Sequence, residues 1–510
     1  MNHDYDVAII GGGHNALVSA CYLAKAGKKV VVLEKDSEFG GATKSVFAFR
    51  GVGAKLSRYS YLVALFPDKI KQDLALEFET LSRKVSSYTP SNDSGILINR
   101  MFDDESKNSL NSFTSSIEES EAWELFYARI GLIAKLIAPT MLQPLRDEDE
   151  IKALIGHDLW DEFVGRPLSE TLDNYFSDDL VKGIVLTDGL IGTFASATET
   201  LSNICFLYHL IGNGTGEWRV PKGGMGTLVN SLLNRAEALG VELRASAEVH
   251  SVITRPDGVN LKLNSGDELS SKVMLSGASP QVLERLTGIK APSFRDGSQV
   301  KMNMVLKQLP QLKSGVDPAK AFSGTFHIDE SYTQLEKAFQ QAKMGVIPEV
   351  IPSEMYCHTL TDPSIIDESM RQAGNHTLTL FALHTPASLF DGGHDQVKEE
   401  VTRRILAGLN KYLVEPVETL LLHDASGNPC IEVKTPQELE EELDLPRGNI
   451  FHGDLSWPWK ARGQEQKWGV ETSSDRVFIA GAGAVRGGGV SGIAGHNAAM
   501  AALERLAKSN

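Results

Sequence analysis

Short apolar runs without charge alternate with a glycine-rich turn at the beginning of the chain. Residues 7–10 (VAII) and 30–33 (VVVL) are two such runs, and they predict buried parallel strands. Residues 17–26 lie between them and predict a helix, which Gly27 ends. The order of strand, turn, helix and strand predicts a βαβ unit at the N-terminus.

The pattern then becomes helical before it returns to strands. Residues 105–215 are predominantly helical, most clearly over 120–136 and 168–176, where apolar side chains recur at helical spacing. Residues 241–263 alternate polar and apolar positions at period two between turn signals, so they predict a meander of strands. Residues 273–280 predict a further buried strand that runs into a turn.

Residues 296–425 mix both kinds of element. The strands are predicted over 300–307 and 376–384, and an amphipathic helix over 395–412. The acidic segment 438–444 predicts a solvated helix face or loop rather than a partner site.

The C-terminus combines a strand, a glycine loop and a helix. Residues 475–480 predict the strand, 481–492 (GAGAVRGGGVSG) the loop and 493–507 the helix. Three consecutive glycines before a helix indicate that a large group lies against bare backbone, and the helix dipole favours negative charge there.

Composition narrows the function classes. The chain has 510 residues, which predicts two domains. Its net charge of −16 argues against electrostatic binding to nucleic acid or anionic membranes. The four cysteines are far apart in sequence, without the spacing of a redox disulfide or a metal site, so no metal is predicted. The polar N-terminus is unlike a signal peptide and no apolar run is long enough to span a bilayer, so a cytoplasmic location is expected.

The N-terminal turn predicts dinucleotide binding. Gly11 permits the tight turn, Gly13 lets the backbone approach a pyrophosphate, and Ala16 allows the helix to pack closely on the strand. Glu34 lies about 20 residues further on, where a carboxylate accepts from a ribose hydroxyl. This motif alone leaves FAD and NAD open. The second glycine pair, Gly40-Gly41, follows the pattern of glutathione-reductase-type flavoproteins and favours FAD.

Taken together, these motifs resemble the phytoene-desaturase-related FAD oxidoreductases. The nearest branch carries the name pyridine nucleotide-disulfide oxidoreductase domain, within the wider superfamily of flavin amine oxidases and carotenoid desaturases. The resemblance also rests on residues 57–61 (SRYSY), 221–226 (PKGGMG) and 448–456 (GNIFHGDLS). It implies an α/β fold: a Rossmann-like, glutathione-reductase-type FAD-binding domain assembled from residues 1–85, 215–295 and 425–510. An α+β substrate-binding domain, with a mixed sheet and a helical part, would comprise residues 86–214 and 296–424.

The resemblance also implies a set of FAD contacts. Glu34 would bind the adenosine ribose, Val249 the adenine through its backbone, and Gly488, Gly489 and Val490 the flavin ring. The full set of expected contacts is Gly11, Gly13, His14, Asn15, Ala16, Glu34, Lys35, Gly41, Ala42, Val249, Gly481, Gly483, Gly488, Gly489 and Val490.

Candidate catalytic and substrate residues follow from the chemistry. Arg486 is expected to stabilise reduced flavin or to bind a substrate carboxylate or carbonyl, although related sequences often carry His-Pro at 485–486. His452 is the candidate proton acceptor, because imidazole titrates near neutral pH. Lys301 resembles the flavin-side lysine of amine oxidases, yet a solvent-exposed lysine on an edge strand is the preferred interpretation. The substrate is expected to meet Arg58, Tyr59, Tyr61, Trp457 and Trp459.

The sequence therefore predicts an FAD-dependent dehydrogenase or desaturase. It would move a hydride from a substrate C–H to flavin N5 and form a C=C bond in an apolar small molecule, with or without a carboxylate or carbonyl group. Amine oxidation, redox-neutral isomerisation and a non-catalytic flavin-containing interaction protein remain alternatives. Dioxygen, a quinone or another protein are open as electron acceptors, and the oligomeric state is open as well.

Overall fold

The fold is built on two large sheets. A computed structural model describes residues 3–63 and 65–508. Its strands are β1 (Tyr5–Ile10), β2 (Val30–Leu33), β3 (Ser45–Val46), β4 (Leu56–Ser57), β5 (Thr80–Ser82), β6 (Val85–Ser91), β7 (Ser94–Asn99), β8 (Arg219–Pro221), β9 (Glu242–Arg244), β10 (Val249–Thr254), β11 (Val259–Leu263), β12 (Glu268–Ser276), β13 (Val300–Leu306), β14 (Thr325–Ile328), β15 (Ser353–Tyr356), β16 (His376–Ala382), β17 (Ile431–Lys434) and β18 (Val477–Ile479).

The helices lie around and between these sheets. They are α1 (His14–Lys25), α2 (Asp68–Leu74), α3 (Asp104–Thr114), α4 (Glu118–Ile137), α5 (Glu148–Ile155), α6 (His157–Phe163), α7 (Leu168–Tyr175), α8 (Asp179–Thr187), α9 (Thr200–Ile211), α10 (Gly226–Ala238), α11 (Pro280–Thr287), α12 (Pro318–Ala321), α13 (Tyr332–Lys343), α14 (His358–Thr361), α15 (Glu368–Gln372), α16 (His394–Asn410), α17 (Val417–Leu420), α18 (Pro436–Leu443) and α19 (Ile493–Ala507). None of the helices in the described part of the chain is long and apolar enough to cross a membrane.

The first sheet has the order β10-β11-β12-β1-β2-β9, and β18 also pairs with β12. β12, β1, β2, β9 and β18 run parallel, whereas β10 and β11 form an antiparallel edge. The uncharged runs of β1 and β2 are completely or almost completely buried, as expected for strands covered on both faces. This sheet brings the N-terminal turn, residues 242–276 and the C-terminal strand together.

Close helix packing holds the two ends of the chain together. α1 and α19 pack against one another, and a Cβ at Gly495 of α19 would lie 2.0 Å from the carbonyl oxygen of Asn15. Only a glycine fits at this contact, so the C-terminal helix is locked beside the first residues of α1.

The second sheet has the order β17-β13-β16-β15-β14-β6-β7. Its two faces differ in character. Met302, Met304, Leu378, Leu380 and Met355 belong to an apolar cluster that also contains residues of α16. The opposite face carries buried polar residues, including Lys301, Asn303, Thr379, Glu354 and His327. A buried polar face indicates that this sheet walls a site rather than only a core.

One boundary of the expected domains needs correction. β17 lies within residues 425–510, which the sequence assigned to the FAD-binding domain, but it pairs with β13 of the second sheet. β17 is the antiparallel edge strand of the second sheet, because its backbone hydrogen-bonds with β13. The remaining division of the chain into two domains stays a proposal.

Candidate active site

A cavity of about 730 Å³ lies between the two sheets. One end is lined by the turn after β1, by Glu34 and by residues 247–250. The other end is lined by Tyr61, Lys301 and Phe381. The cavity therefore joins the predicted dinucleotide turn to the polar face of the second sheet.

The turn after β1 has the conformation that its glycines predict. Gly11 has a φ of +87°, which favours glycine. α1 begins at His14 with Gly13 as its N-cap, and no side chain caps this end of the helix. Its first N–H groups remain available for an anion, and the helix dipole favours one there.

Glu34 lies at the end of β2 and is already engaged by backbone. Its Oε2 accepts a hydrogen bond from the Gly12 N–H at 2.6 Å, and its Oε1 accepts from the Asp36 N–H at 2.9 Å. These two bonds hold the carboxylate in one orientation at the cavity wall. The carboxylate is therefore preorganised to accept from a ribose hydroxyl.

The nucleotide end of the cavity fits FAD. A Cβ at Gly13 would meet no described atom within 4 Å, so this backbone faces open space. Oδ1 of Asn15 and Nε2 of His14 are buried without a hydrogen-bond partner among the described residues. Buried polar atoms of this kind normally have a partner. A pyrophosphate oxygen at the helix N-terminus would accept a hydrogen bond from His14 Nε2, whereas Asn15 Oδ1, itself an acceptor, would need a donor from another part of the ligand.

Most of the expected cofactor residues line this cavity. They are Gly11, Gly13, His14, Asn15, Ala16, Glu34, Lys35, Gly41, Ala42, Val249, Gly481, Gly489 and Val490. Gly41 lies beside the first turn: a Cβ at this position would lie 3.5 Å from the Cα of Gly13. The two glycine motifs, separated in sequence, thus form one backbone surface.

The expectation that Gly483 and Gly488 contact the cofactor is corrected, because neither residue lines the cavity. A Cβ at Gly483 would lie 2.6 Å from Pro280, and one at Gly488 would lie 2.7 Å from Leu455. The rigid Pro280 ring leaves no room for a side chain at Gly483, whereas at Gly488 the Leu455 side chain would have to move. Of the triple glycine, Gly489 alone lines the cavity, with a φ of +72°.

His14 and His452 both line the cavity. Burial lowers the pKa of each imidazole to about 4, and the neighbouring His452 further lowers that of His14. Nδ1 of His452 has no partner among the described residues. His452 is therefore neutral at physiological pH and faces the cavity, but it is a weak base.

Lys301 is not the solvent-exposed lysine on an edge strand that the sequence favoured. β13 lies between β17 and β16 rather than at an edge, and Lys301 is only 2% exposed. Its Nζ donates to the Tyr59 carbonyl oxygen at 3.1 Å and lies 4.1 and 4.3 Å from the ring centroids of Tyr61 and Phe381. Burial lowers the pKa of this amine well below its ordinary value. The neutral amine is therefore easier to form at Lys301 than at an exposed lysine.

Tyr59 and Tyr61, two of the residues expected to meet the substrate, line the cavity. The hydroxyl of Tyr59 donates to Glu442, while the Ser60 hydroxyl donates to the Ala42 carbonyl oxygen at 2.8 Å. This segment is thus fastened beside the Gly40-Gly41 turn. It forms the boundary between the two ends of the cavity.

Arg486 lies outside the cavity, which corrects the expectation that it contacts flavin or substrate. Its side chain is 1% exposed, and its guanidinium donates to the carbonyl oxygens of Pro458, Met141 and Gln143 at 2.9, 3.3 and 2.6 Å. Burial lowers its pKa to about 10, so it remains charged at neutral pH. Arg486 ties the glycine loop to the segment after α4 and plays a structural part.

The expectation of substrate contact is also corrected for three residues: Arg58, Trp457 and Trp459 lie outside the cavity. Arg58 forms a salt bridge with Glu432 at 2.8 Å. The Trp457 and Trp459 rings stack on one another at 4.9 Å, and Trp459 also packs on Trp160 of α6. These side chains contact other parts of the protein and do not reach the cavity.

Sequence reasoning missed part of the cavity wall. Leu439, Glu442 and Asp444 line it, so the acidic segment 438–444 is not simply a solvated face. The signal in the sequence was that α18 carries apolar as well as acidic residues, which indicates that one of its faces is buried. Gln299 and Trp218 also line the substrate end, and no local pattern distinguishes them.

A carboxyl group lies behind the substrate end. Glu354 of β15 is 2% exposed, and its Oε1 accepts from the hydroxyls of Tyr61 at 3.1 Å and Tyr356 at 2.7 Å. Burial, followed by the nearby charge of Glu330, raises the pKa of Glu354 to about 7. This carboxyl therefore changes charge near neutral pH.

We expect Glu354→Gln to change the pH dependence of stability. The pKa of Glu354 in the folded protein is about 7, above its ordinary value of 4.5, so the folded state binds the proton more tightly. Its contribution is fully present below about pH 4.5 and is lost as the pH rises towards 7, by at most about 3 kcal/mol. Glutamine cannot ionise, so urea unfolding should show the variant gaining stability relative to the wild type between pH 5 and 8.

Glu268→Gln is the matched control, because Glu268 is exposed on a strand of the first sheet. Its stability difference from the wild type should stay constant over this pH range. Parallel pH profiles for Glu354→Gln and the wild type would contradict an ionisable buried carboxyl at this position.

The chain matches the model of a known family over residues 17–424, and that family is described as flavin containing amine oxidoreductase. An uncharacterized protein of Mycobacterium tuberculosis H37Rv is 41% identical, with 99% of this chain and 98% of that protein covered. Pyridine nucleotide-disulfide oxidoreductase domain-containing protein 2 of Rattus norvegicus is 30% identical, with 98% and 93% covered.

Carotenoid enzymes are more distant relatives. The chloroplastic prolycopene isomerase of Daucus carota is 24% identical over 84% of this chain and 70% of that protein. Among solved structures, cyclohexylamine oxidase from Brevibacterium oxydans is similar with a TM-score of 0.58 at 16% identity, covering 99% of this chain and 100% of that one. The likeness to this structure concerns the fold.

Proposed function

Because the chain belongs to the family of flavin containing amine oxidoreductases and is an FAD-dependent oxidoreductase, we propose that it is a dehydrogenase or desaturase. It removes a hydride and a proton from neighbouring carbons of an apolar small molecule and leaves a C=C bond. The observation that carries this proposal is the continuous cavity. It joins the dinucleotide turn to a buried end formed by aromatic rings and Lys301.

The residues at the nucleotide end hold FAD, which when bound supplies the hydride acceptor. The free N–H groups at the start of α1 and the unpartnered Nε2 of His14 bind its pyrophosphate. Glu34 binds the ribose, and Val249 lies where the adenine would be held. Gly489 and Val490 of the C-terminal loop face the same cavity and would meet the flavin ring.

The buried end positions the substrate and excludes water. Tyr61, Phe381 and Leu65 present apolar surface to the cavity, so an apolar substrate gains free energy by entering it. The exclusion of water also strengthens the electrostatic interactions among the reacting groups.

Lys301 is the proposed proton acceptor. Its Nζ, as a neutral amine, accepts the proton that leaves the substrate carbon. The resulting ammonium lies against the faces of Tyr61 and Phe381, which stabilise the cation. His452 is the second candidate for this role, but its pKa of about 4 makes it a weak base.

Two other reactions stay as alternatives. Redox-neutral isomerisation is supported by the prolycopene isomerase relative. Amine oxidation is supported by the description of the family. The three reactions change the mass of the substrate differently, so one experiment separates them.

The experiment is mass spectrometry of products after incubation of the FAD-loaded protein with a panel of compounds. The panel contains long-chain ketones and carboxylic acids, prolycopene and cyclohexylamine, with dioxygen and a quinone supplied as acceptors. A product lighter by the mass of H₂ is expected from a ketone or an acid. An isomer of unchanged mass, or an amine converted to a carbonyl compound, would contradict the desaturase proposal. Protein stripped of FAD is the control.

A further inference from the structure

A row of side chains crosses the polar face of the second sheet. Lys301 of β13 pairs with Phe381 of β16, Phe381 pairs with Glu354 of β15, and Glu354 pairs with His327 of β14. Directly paired residues project from the same face of a sheet. Lys301 and Glu354 are therefore separated only by the strand that carries Phe381, about 10 Å of backbone spacing.

Tyr61 connects the two ends of this pair. Its ring lies beneath Lys301, with Nζ 4.1 Å from the ring centroid, and its hydroxyl donates to Glu354 Oε1 at 3.1 Å. A phenol that donates its O–H to a carboxylate carries more electron density in its ring. Its ring face consequently attracts an ammonium more strongly.

Tyr356 offers a comparison within the same cluster. It also donates to Glu354 Oε1, at 2.7 Å, and its hydroxyl bond is the shorter of the two. The Tyr356 ring carries Arg83 at 5.2 Å rather than Lys301, and Tyr356 does not line the cavity. The two tyrosines thus share a carboxylate but differ in the cation that they face.

The other charged groups around the pair are identifiable. On the Lys301 side, Glu432 on β17 forms a salt bridge with Arg58, and Lys434, which pairs with Lys301 across the sheet, forms a salt bridge with Glu442. The pKa of His358 falls to about 3 through burial and the nearby charges of Lys301 and Arg83, so this imidazole is neutral.

On the Glu354 side the neighbours are His327, Glu330, Asp188 and Arg83. His327 and Glu330 are bonded to one another, and Thr187 donates to Glu330. Burial raises the pKa of Asp188 to about 7 and that of Glu330 well above its ordinary value. Glu330 is thus held in its neutral form, whereas Asp188 titrates in the same range as Glu354. Of these carboxyls, Glu354 is the one that accepts from Tyr61 and so is linked to Lys301.

We propose that Glu354, acting through Tyr61, is the counter-charge of Lys301 and controls how readily Lys301 takes up the proton of the reaction. Glu354 is a positioning residue, and the inference rests on the proposed role of Lys301. The step balances as follows: one substrate carbon gives up a hydride, for which bound FAD would be the acceptor. The C–H bond of the neighbouring carbon breaks, its electron pair forms the C=C bond, and its proton forms a new N–H bond at Lys301 Nζ. The ammonium is then stabilised by Tyr61, Phe381 and the negative charge of Glu354. Both Glu354 and Glu432 oppose the fall in the pKa of Lys301 that burial causes.

The test measures the ionisation of Lys301 directly. FAD-loaded full-chain protein is labelled with acetic anhydride over a range of pH, and the peptide that contains Lys301 is quantified by mass spectrometry, with exposed Lys290 as the internal standard. Glu354→Gln is expected to lower the midpoint of Lys301 labelling by about one pH unit. Tyr61→Phe should lower it as well, and by more than Tyr356→Phe, because both hydroxyls donate to Glu354 but only the Tyr61 ring lies against Lys301. An unchanged midpoint in Glu354→Gln, or equal shifts in both tyrosine variants, would overturn the proposal.

A reciprocal measurement needs no access for the reagent. Infrared difference spectra between pH 5.5 and 8.5 report the protonated carboxyl of Glu354 as the band that Glu354→Gln lacks. Because coupling between two sites is reciprocal, Lys301→Met should move this titration to higher pH. Lys307→Met, at an exposed lysine next to the same strand, should not. Identical titrations in both variants would overturn the coupling. Neither measurement uses a substrate, so a failed substrate panel with a shifted Lys301 would count against the proposed function alone.

Discussion

Gly13→Ala is expected to weaken FAD binding about 100-fold while the protein stays folded. The backbone conformation at Gly13, with a φ of −70°, is open to alanine, and the added Cβ would meet no described atom within 4 Å. The same Cβ would occupy the space in front of the helix N-terminus, where the pyrophosphate must approach the backbone. Loss of two such charge-assisted hydrogen bonds costs about 3 kcal/mol, or about 100-fold in the dissociation constant.

The measurement is a titration of the stripped protein with FAD, followed by its intrinsic fluorescence, together with thermal unfolding of the stripped variant. Gly131→Ala is the matched control, because a Cβ at Gly131 on α4 also meets nothing within 4 Å and α4 lies away from the cavity. The control should bind FAD as the wild type does. An unchanged FAD affinity in Gly13→Ala would contradict the assignment of this turn to the pyrophosphate.

Lys301→Met is expected to slow flavin reduction by about 100-fold to 10,000-fold, the range for loss of a positioned acid or base. Methionine fills similar volume in the cavity wall but cannot accept a proton, so FAD binding should survive. The rate is measured anaerobically by stopped-flow absorbance, with whichever compound of the panel the protein oxidises.

Lys307→Met is the control for this prediction, because Lys307 directly follows β13 and is exposed. It should reduce its flavin at the wild-type rate. If Lys301→Met also does so, then Lys301 is not the proton acceptor, and His452→Gln becomes the variant to test.

The dinucleotide half of the site could be predicted because its geometry is encoded locally. The turn at Gly11 and Gly13 is a property of a few consecutive residues, and Glu34 follows directly from the end of the second strand. The ligand itself imposes these requirements. Such positions therefore line the cavity almost as the sequence predicts.

The substrate half could not be predicted, because the direction in which a side chain of a loop or central strand points depends on partners that are distant in sequence. Arg486 turns away from the cavity because its guanidinium donates to three carbonyl oxygens of two segments that are distant in sequence. The alternation around Lys301 indicates two different faces, but it does not show that the polar face is buried. Only the pairing of β13 with β16 and the position of Tyr61 reveal this.

The most direct test of the account is the anaerobic absorption spectrum of the purified protein before and after each compound of the panel is added. We expect the spectrum of bound oxidised flavin, and its bleaching by an apolar ketone or acid, because one cavity holds both FAD and substrate. A protein that shows no flavin spectrum and does not acquire one when FAD is added would contradict the central claim.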